Sequence, residues 1–317
     1  MTARKFQAAF SGDSIFLKLS THFQIKWSDS EHTTRSPMDT AEDALAQPVA
    51  LNAERVINET AGVVPRGPTE PKPLAAVGGY HVRFAKSAED LKAIFRLRFL
   101  VFNVELGEGL QSAYRDGYDI DDFDSTCDHL MVEHGLSRQV VGTYRLQTGL
   151  VAARNLGYYS AREFDFSPCE CIRDSLVELG RACIHRQHRS FEVLALLWRG
   201  IANYALERNA RYLIGCSSLT SQSLQEGSDM YWRLQEFLVD PALRTNPWPR
   251  FSIPIEAPTS RVREMNPPRL LRTYLSIGAQ ICGAPAIDRA FRTIDFLTLL
   301  DLEKLGTSAR FRFLRNK

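Results

Sequence analysis

Between Leu176 and Ile184 the chain reads Leu-Val-Glu-Leu-Gly-Arg-Ala-Cys-Ile, an apolar run with two opposite charges inside it. Residues Ser175 to Ile184 have the composition of a strand. An isolated ion buried in such a strand costs several kcal/mol, so Glu178 and Arg181 need partners or a water-filled cleft. Any fold this chain adopts must bring compensating charge or an opening to that strand.

The elements around it are legible from periodicity. Tyr80 to Ala85 alternates as a short strand. Ser87 is placed to cap a helix whose first turn holds Glu89 and Asp90, where the dipole favours them. Leu91, Ile94, Phe95, Arg98, Phe99 and Phe102 follow at helical spacing. Tyr114 to Asp128 is an acidic loop, with six aspartates from Asp116 to Asp128. His129 to Glu133 and Val140 to Gln147 form a hairpin across Gly135 and Ser137. Asn155 to Ile172 is irregular and broken by Pro168. Ser190 opens a helix with the apolar face Val193, Leu196, Leu197, Ile201 and Ala205. Further on, strands are expected at Tyr212 to Cys216, Phe251 to Ile255 and Ile294 to Leu300, and helices at about Asp229 to Phe237 and Leu270 to Tyr274. This order predicts an α+β domain with a mixed, mostly antiparallel central sheet flanked by helices.

Residues 1–78 differ in character. Pro65, Pro68, Pro71 and Pro73 punctuate their end, and no apolar period is sustained, so they read as a disordered or weakly helical extension before a domain spanning 79–317. Near the start, Phe6 to Trp27 sets aromatic residues among basic ones, a pattern suited to a membrane surface or to local packing. Lys18 interrupts Ser14 to Leu19, the best candidate for a secretory core, which points to the cytoplasm. The longest stretch without charge or histidine, Thr273 to Ile287, contains Gly278, Gly283 and Pro285 and cannot span roughly 30 Å of hydrocarbon. Lys and Arg number 39 against 37 Asp and Glu, a balance that argues against nucleic acid as a partner. Cys169-x-Cys171 with His185 and His188 lacks the usual zinc spacings, so no metal site is read. No GxGxxG, P-loop or GxSxG occurs.

Four polar clusters fall near element ends: Arg98-x-x-Val-Phe-x-x-Glu105-Leu-Gly107, Asp121-x-Phe-Asp124 with Asp128, Gly142-Thr-Tyr-Arg145-Leu, and Glu178-Leu-Gly180-Arg181. In this order they resemble the acyl-carrier-protein-dependent ornithine N-acyltransferases that make lyso-ornithine lipid, haemolysin-like members of the GNAT-like superfamily related to acyl-homoserine-lactone synthases. The likeness continues through Leu197-Trp198-Arg199-Gly200-Ile201, Gly215-Cys216-Ser217-Ser218-Leu219, Pro267-Pro268 to Gly278-Ala279, and Gly283-x-Pro285-Ala286-x-Asp288-x-x-Phe291.

The resemblance implies a GNAT-like acyl-CoA N-acyltransferase fold and amide formation: a (3-hydroxy)acyl chain passes from a carrier-protein thioester to the α-amine of an amino acid, ornithine foremost. Glycine or another amino acid, an acyl-homoserine-lactone-type signal synthesis, and a non-catalytic lipid- or carrier-binding module are its rivals. Glu178 is the first choice as general base. Arg98, Arg145 or Arg181 suits the acceptor's carboxylate. Asp121 and Asp124 either hold a cationic side chain or brace the arginines in an ion-pair network. The turn holding His185, Arg186, Arg189 and Ser190 opens a helix and lacks the glycines of a coenzyme A pyrophosphate loop. A helix N-terminus there fits the single phosphate of a carrier-bound phosphopantetheine better than coenzyme A. No bound cofactor is expected, the carrier thioester being a co-substrate. From Arg261 to Lys317 there are 11 Lys or Arg and 5 Asp or Glu, a basic surplus that would attract an acidic carrier protein or an anionic membrane face.

Overall fold

The structure, a computed structural model, describes residues 73–306 apart from 259 and 264. The Phe6 to Trp27 segment, most of the expected extension and the last eleven residues of the basic stretch lie outside the described residues. The chain divides into two units, Met1–Asn52 and Ala53–Lys317, and the fold below is that of the second.

Its strands are β1 (Ala75–Val77), β2 (Tyr80–Phe84), β3 (Asp128–His134), β4 (Val140–Thr148), β5 (Leu176–Ile184), β6 (Tyr212–Leu219), β7 (Gln280–Ile281), β8 (Ala286–Asp288) and β9 (Thr293–Asp301). They join in the order β1-β2-β3-β4-β5-β6-β9-β7, with β8 also on β9. Every pairing is antiparallel except β5 with β6. That exception follows from the connection: β5 reaches β6 through a helical crossover, α3 (Phe191–Glu207), as parallel neighbours require. The other helices are α1 (Ala88–Phe99), α2 (Gly149–Arg154), α4 (Leu224–Arg233) and α5 (Arg269–Ser276).

The α1 helix starts where Ser87 accepts the Asp90 amide at 3.1 Å, and it buries Leu91, Ile94, Phe95 and Arg98 along one side. It runs on into a π-helical turn over Leu100–Glu105. Capped by Ser190, α3 lays Val193, Leu196, Leu197 and Ile201 on a core made with Val82, Leu130, Val132 and Val141 of the sheet. A second core, on α1, takes Met131 and Cys183. Burying a side chain of this kind is worth about 1.5–3 kcal/mol.

One irregularity sets up the site. β5 and β6 pair at three positions only, Leu176 with Tyr212, Val177 with Leu213 and Glu178 with Ile214. Beyond these, β5 stays with β4 and β6 stays with β9, so the sheet opens between them. The opening begins at a close approach: a Cβ on Gly215 would sit 2.2 Å from the Leu179 carbonyl oxygen.

The expected α+β architecture holds, with local differences. The sheet starts at β1, inside the span read as extension; Gly78 and Gly79, both at positive φ, turn it onto β2. The helix expected at Asp229–Phe237 begins earlier because Ser223 accepts the Glu226 amide, and its end is a 3-10 turn. Phe251–Ile255 is not a strand: only Ser252 bridges, to Ala286, and Pro254 has no N–H to offer. Among the described residues no helix is long and apolar enough to cross a membrane.

Candidate active site

Three arginines from three elements converge on the acidic loop. Arg98 of α1 donates Nε to Asp119 at 2.8 Å and Nη1 and Nη2 to Asp124 at 2.7 and 3.1 Å. Arg145 of β4 donates Nη1 to Asp121 at 2.5 Å and to Asp124 at 2.9 Å. Arg181 of β5 donates Nη2 to Asp121 at 2.7 Å, with its Nε 3.2 Å from Asp119. The Asp-x-x-Asp spacing that holds them is itself a local device. Asp121 caps the turn at 122–125 by accepting the Phe123 amide, and Asp124 accepts the Asp121 amide in return. Burial alone would raise the Asp124 carboxyl, but Arg98 and Arg145 outweigh it and hold it far below the usual carboxylate range. Asp121 is lowered in the same way, burial being outweighed chiefly by Arg145.

Of the two roles open to the acidic loop, this geometry favours bracing. The Arg98 and Asp124 side chains are fully buried and offer a substrate no open face, and Asp121 is likewise spent on arginines. Arg145 and Arg181 line a cavity at the β5–β6 opening. Aromatic rings flank both: Arg145 lies over Phe123 and Tyr159, Arg181 over Tyr159 and Phe291, at 4.5–5.6 Å.

Glu178 lines the same cavity and is held by three donors: Gln147 Nε2 at 2.6 Å, the Tyr159 amide at 2.8 Å and the Ser160 amide at 2.8 Å. The irregular segment after α2 exists in part to deliver those two amides. A carboxylate has about four acceptor positions, so one remains. Next to it, Gln147 Oε1 is buried with no hydrogen-bond partner among the described residues.

A second acidic group, unforeseen from the sequence, closes the other side. Glu163 follows the turn at 160–162, Asp288 ends β8, Asp295 lies on β9, and Cys216 of β6 sits among them. The Glu163 and Asp295 carboxylates and the Cys216 Sγ lie within 4.8 Å of one another. Burial, then the Asp295 and Asp288 carboxylates, pushes Glu163 well above its ordinary value. Burial, reinforced by Asp288, pushes Asp295 up to about 6. A charge inside an apolar strand, the signal that marked Glu178, also marks Asp295.

A second, apolar cavity is lined by Tyr144, Ala182, Trp198, Leu213, Leu270 and Tyr274. It shares Leu179, Gly180, Arg181 and Cys216 with the polar one. The two thus meet at the opening of the sheet. Tyr144 and Tyr274 are hydrogen-bonded through their hydroxyls on the apolar side.

The turn expected to meet the donor's phosphate divides. Ser190 caps α3 through the Val193 amide, and His185 caps the short turn before it through the Gln187 amide. Arg186 is exposed. Arg189 is committed elsewhere: its Nη1 and Nη2 donate to Glu105 at 2.7 and 2.9 Å, tying the π-turn to the start of α3. That bidentate pair leaves Arg189 a brace rather than a phosphate ligand.

Residues 97–199 match the acetyltransferase (GNAT) domain family. Among curated proteins, the L-ornithine N(alpha)-acyltransferase of Brucella abortus (strain 2308) is 32% identical over 255 residues, which cover 74% of this chain and 88% of that protein. The L-ornithine N(alpha)-acyltransferase of Rhodobacter capsulatus is 30% identical, covering 76% and 97%. Among solved structures, the acyl-homoserine-lactone synthase LasI superposes with a TM-score of 0.42 at 13% identity, covering 74% of this chain and 94% of its own. FeeM, an N-acyl amino acid synthase from uncultured soil microbes, superposes with a TM-score of 0.42 at 12% identity, covering 73% and 97%.

Proposed function

The chain belongs to the L-ornithine N(alpha)-acyltransferase family, and from that premise we propose that it joins an acyl chain, carried as a thioester on acyl-carrier protein, to the α-amine of L-ornithine. The observation that carries the reading is the pair of cavities meeting at β5, one charged and one apolar. A zwitterionic acceptor suits the first and a hydrocarbon chain the second, with the thioester between them.

In this reading Arg145 and Arg181 receive the α-carboxylate of ornithine. The α-amine reaches the free acceptor position of Glu178 and the unpartnered Gln147 Oε1, and Glu178 takes its proton. The amine nitrogen then attacks the thioester carbonyl, the C–N bond forms, the C–S bond breaks, and the thiol leaves with a proton. The oxyanion needs preorganised donors. β5 supplies them through a bulge: Thr143 pairs with Cys183 and Arg145 with Gly180, so β5 carries one extra residue, left out of the ladder. The α3 N-terminus with Ser190, His185 and the exposed Arg186 faces the donor's phosphate, the carrier being preferred to coenzyme A. No bound cofactor is required. The product would be a single-chain amphiphile, which supports work in membrane-lipid synthesis at the inner face of the cytoplasmic membrane, and the basic surplus after Arg261 supports attraction to anionic lipid or carrier.

Incubating the purified chain with acyl-carrier-protein thioesters, acyl-CoA and a panel of amino acids, followed by mass spectrometry of the lipids, tests this. N-acyl-ornithine is expected, with the carrier thioester the better donor. Selective acylation of glycine would overturn the acceptor, and absence of any amide would overturn the activity. Glu178→Gln should lower kcat by about 10²–10⁴, the usual contribution of a general base. Near-normal turnover would remove Glu178 from that role.

A further inference from the structure

We propose that Glu163, Asp288 and Asp295 form the subsite that takes the side-chain ammonium of the acceptor, and so select a diamino acid over its neutral isosteres. The proposal rests on the ornithine reading above and adds to it a recognition element. Glu163 and Asp295 are only 3% and 5% exposed, yet apart from a proton shared between the two carboxyls, Glu163 Oε2 and Asp295 Oδ1 have no hydrogen-bond partner among the described residues. Orphaned acceptors on buried carboxylates are costly unless a ligand completes them. Asp295 and Asp288 line the polar cavity; Glu163 is not part of its lining, but its carboxylate lies within 4.8 Å of the Asp295 carboxylate and the Cys216 Sγ, which are. Among the described residues no Lys or Arg pairs with any of the three, and Arg181, the guanidinium that Glu163 feels, is engaged by Asp119 and Asp121.

The missing partner is therefore a cation of small size entering from the cavity. A metal ion fits poorly. The Cys216 thiol donates toward Ser160 Oγ at 3.5 Å, and burial pushes it well above its ordinary value, so it stays a neutral, weak ligand. An ammonium brings three N–H donors, which suit acceptors contributed by separate carboxylates. The placement also fits the rest of the substrate. Arg145 and Arg181 come from β4 and β5, on one side of the opening, while Asp288 and Asp295 come from β8 and β9 on the other. A chain with a carboxylate at one end and an ammonium at the other spans the cavity in one direction only, which presents the α-amine to Glu178.

The test compares L-ornithine with L-norvaline, which is ornithine without the side-chain amine, in the full-length protein and in Glu163→Gln, Asp295→Asn and Asp288→Asn. Each variant should lower kcat/KM for ornithine by about 10- to 100-fold, the worth of a charge-assisted hydrogen bond, and change that for norvaline by less than about 3-fold. Equal losses on both substrates, or none on ornithine, would overturn the subsite while leaving the acyltransferase reading in place. Calorimetric binding separates the two further. If the wild type acylates no ornithine, a preference for binding ornithine over norvaline that these variants abolish would still support the subsite, and its absence would overturn that as well. Unfolding temperatures identify any variant that fails to fold, and the remaining two then decide.

Discussion

Replacing Asp124 by Asn isolates the weight of the arginine cluster in the fold. Asp124 accepts Arg98 at 2.7 and 3.1 Å, Arg145 at 2.9 Å and the Asp121 amide at 2.9 Å, with no exposure to water. The cluster holds Arg98, Arg145 and Arg181 against Asp119, Asp121 and Asp124, a sum of +3 − 3 = 0. The isosteric amide keeps the shape, leaves a net +1 in a dry site, and turns an N–H toward a guanidinium. Removing one partner of a buried pair costs about 3–5 kcal/mol. A domain has only about 5–15 kcal/mol in hand. Urea unfolding followed by circular dichroism reads the loss directly. Glu303→Gln is the control, because its pair with Arg211 at 2.9 Å is exposed and worth at most about 1 kcal/mol. The pH dependence carries a second signature. Since the folded-state value of Asp124 is depressed, its contribution is present above about pH 4, the unfolded value, and fades as pH falls below it. The variant should therefore lose part of the acid limb of the stability curve. A loss no greater than that of Glu303→Gln, with the acid limb unchanged, would refute the view that this cluster holds the loop, the helix and the strands together.

The acidic group at the far side of the cavity predicts the opposite linkage. Asp295 is raised to about 6 and Glu163 is raised as well, so the folded protein binds more protons there than the unfolded chain. Without ornithine, stability should fall as pH rises from about 4 through 6, and Asp295→Asn should flatten that slope in melting experiments. The titratable groups facing this site are Glu163, Asp288, Asp295, Cys216, Tyr159, Glu178 and Arg181; over the same range kcat/KM for ornithine should rise relative to that for norvaline, the α-amine's own titration cancelling in the ratio. Gly215→Ala would set a Cβ 2.2 Å from the Leu179 carbonyl oxygen and force β5 and β6 apart, costing about 1–3 kcal/mol and lowering Tm by several degrees; an unchanged Tm would show that the close approach is not enforced.

What could be read from the sequence followed the range of the interaction. The α1 and α3 helices and strands β2 to β5 carry their own periodicity and caps, and they lie close to where the pattern put them. β1 is three small or branched residues behind a proline-rich stretch, too short for any period to show, and pairing with β2 makes it a strand. The candidate charges were legible as residues but not as roles. Nothing local says whether an arginine on α1 meets solvent, a substrate or a loop twenty residues away; the loop's capping box decides that for Arg98. The sequence leaves Arg189 a candidate for the donor's phosphate because nothing local reveals its ion pair with Glu105, 84 residues distant. Asp295 carries the same local signal as Glu178, one charge in an apolar run, but only the convergence of β9 with the segment after 162 turns it into a cluster.

The Glu-x-x-Arg spacing on β5 poses a geometric problem that the structure resolves. Residues three apart on a regular strand point to opposite faces, so Glu178 and Arg181 should not share a site. They both line the polar cavity, as do Leu179 and Gly180 between them, because the sheet is open beside this stretch of β5, where the bulge after Gly180 adds one residue. At the bulge Arg181 adopts φ of 49°, a left-handed conformation that costs a side-chain-bearing residue on the order of 1–3 kcal/mol. Asp119 and Asp121 offset that strain by holding its guanidinium, and the Tyr159 and Phe291 rings pack over it. The acidic loop thus fixes not only the charges of the site but also a backbone irregularity of β5. The charge pair that first marked this strand as unusual, the bulge and the buried arginine cluster are parts of one arrangement: without Asp119 and Asp121, nothing holds the guanidinium of the strained residue at the bulge beside the cavity that Glu178 also lines.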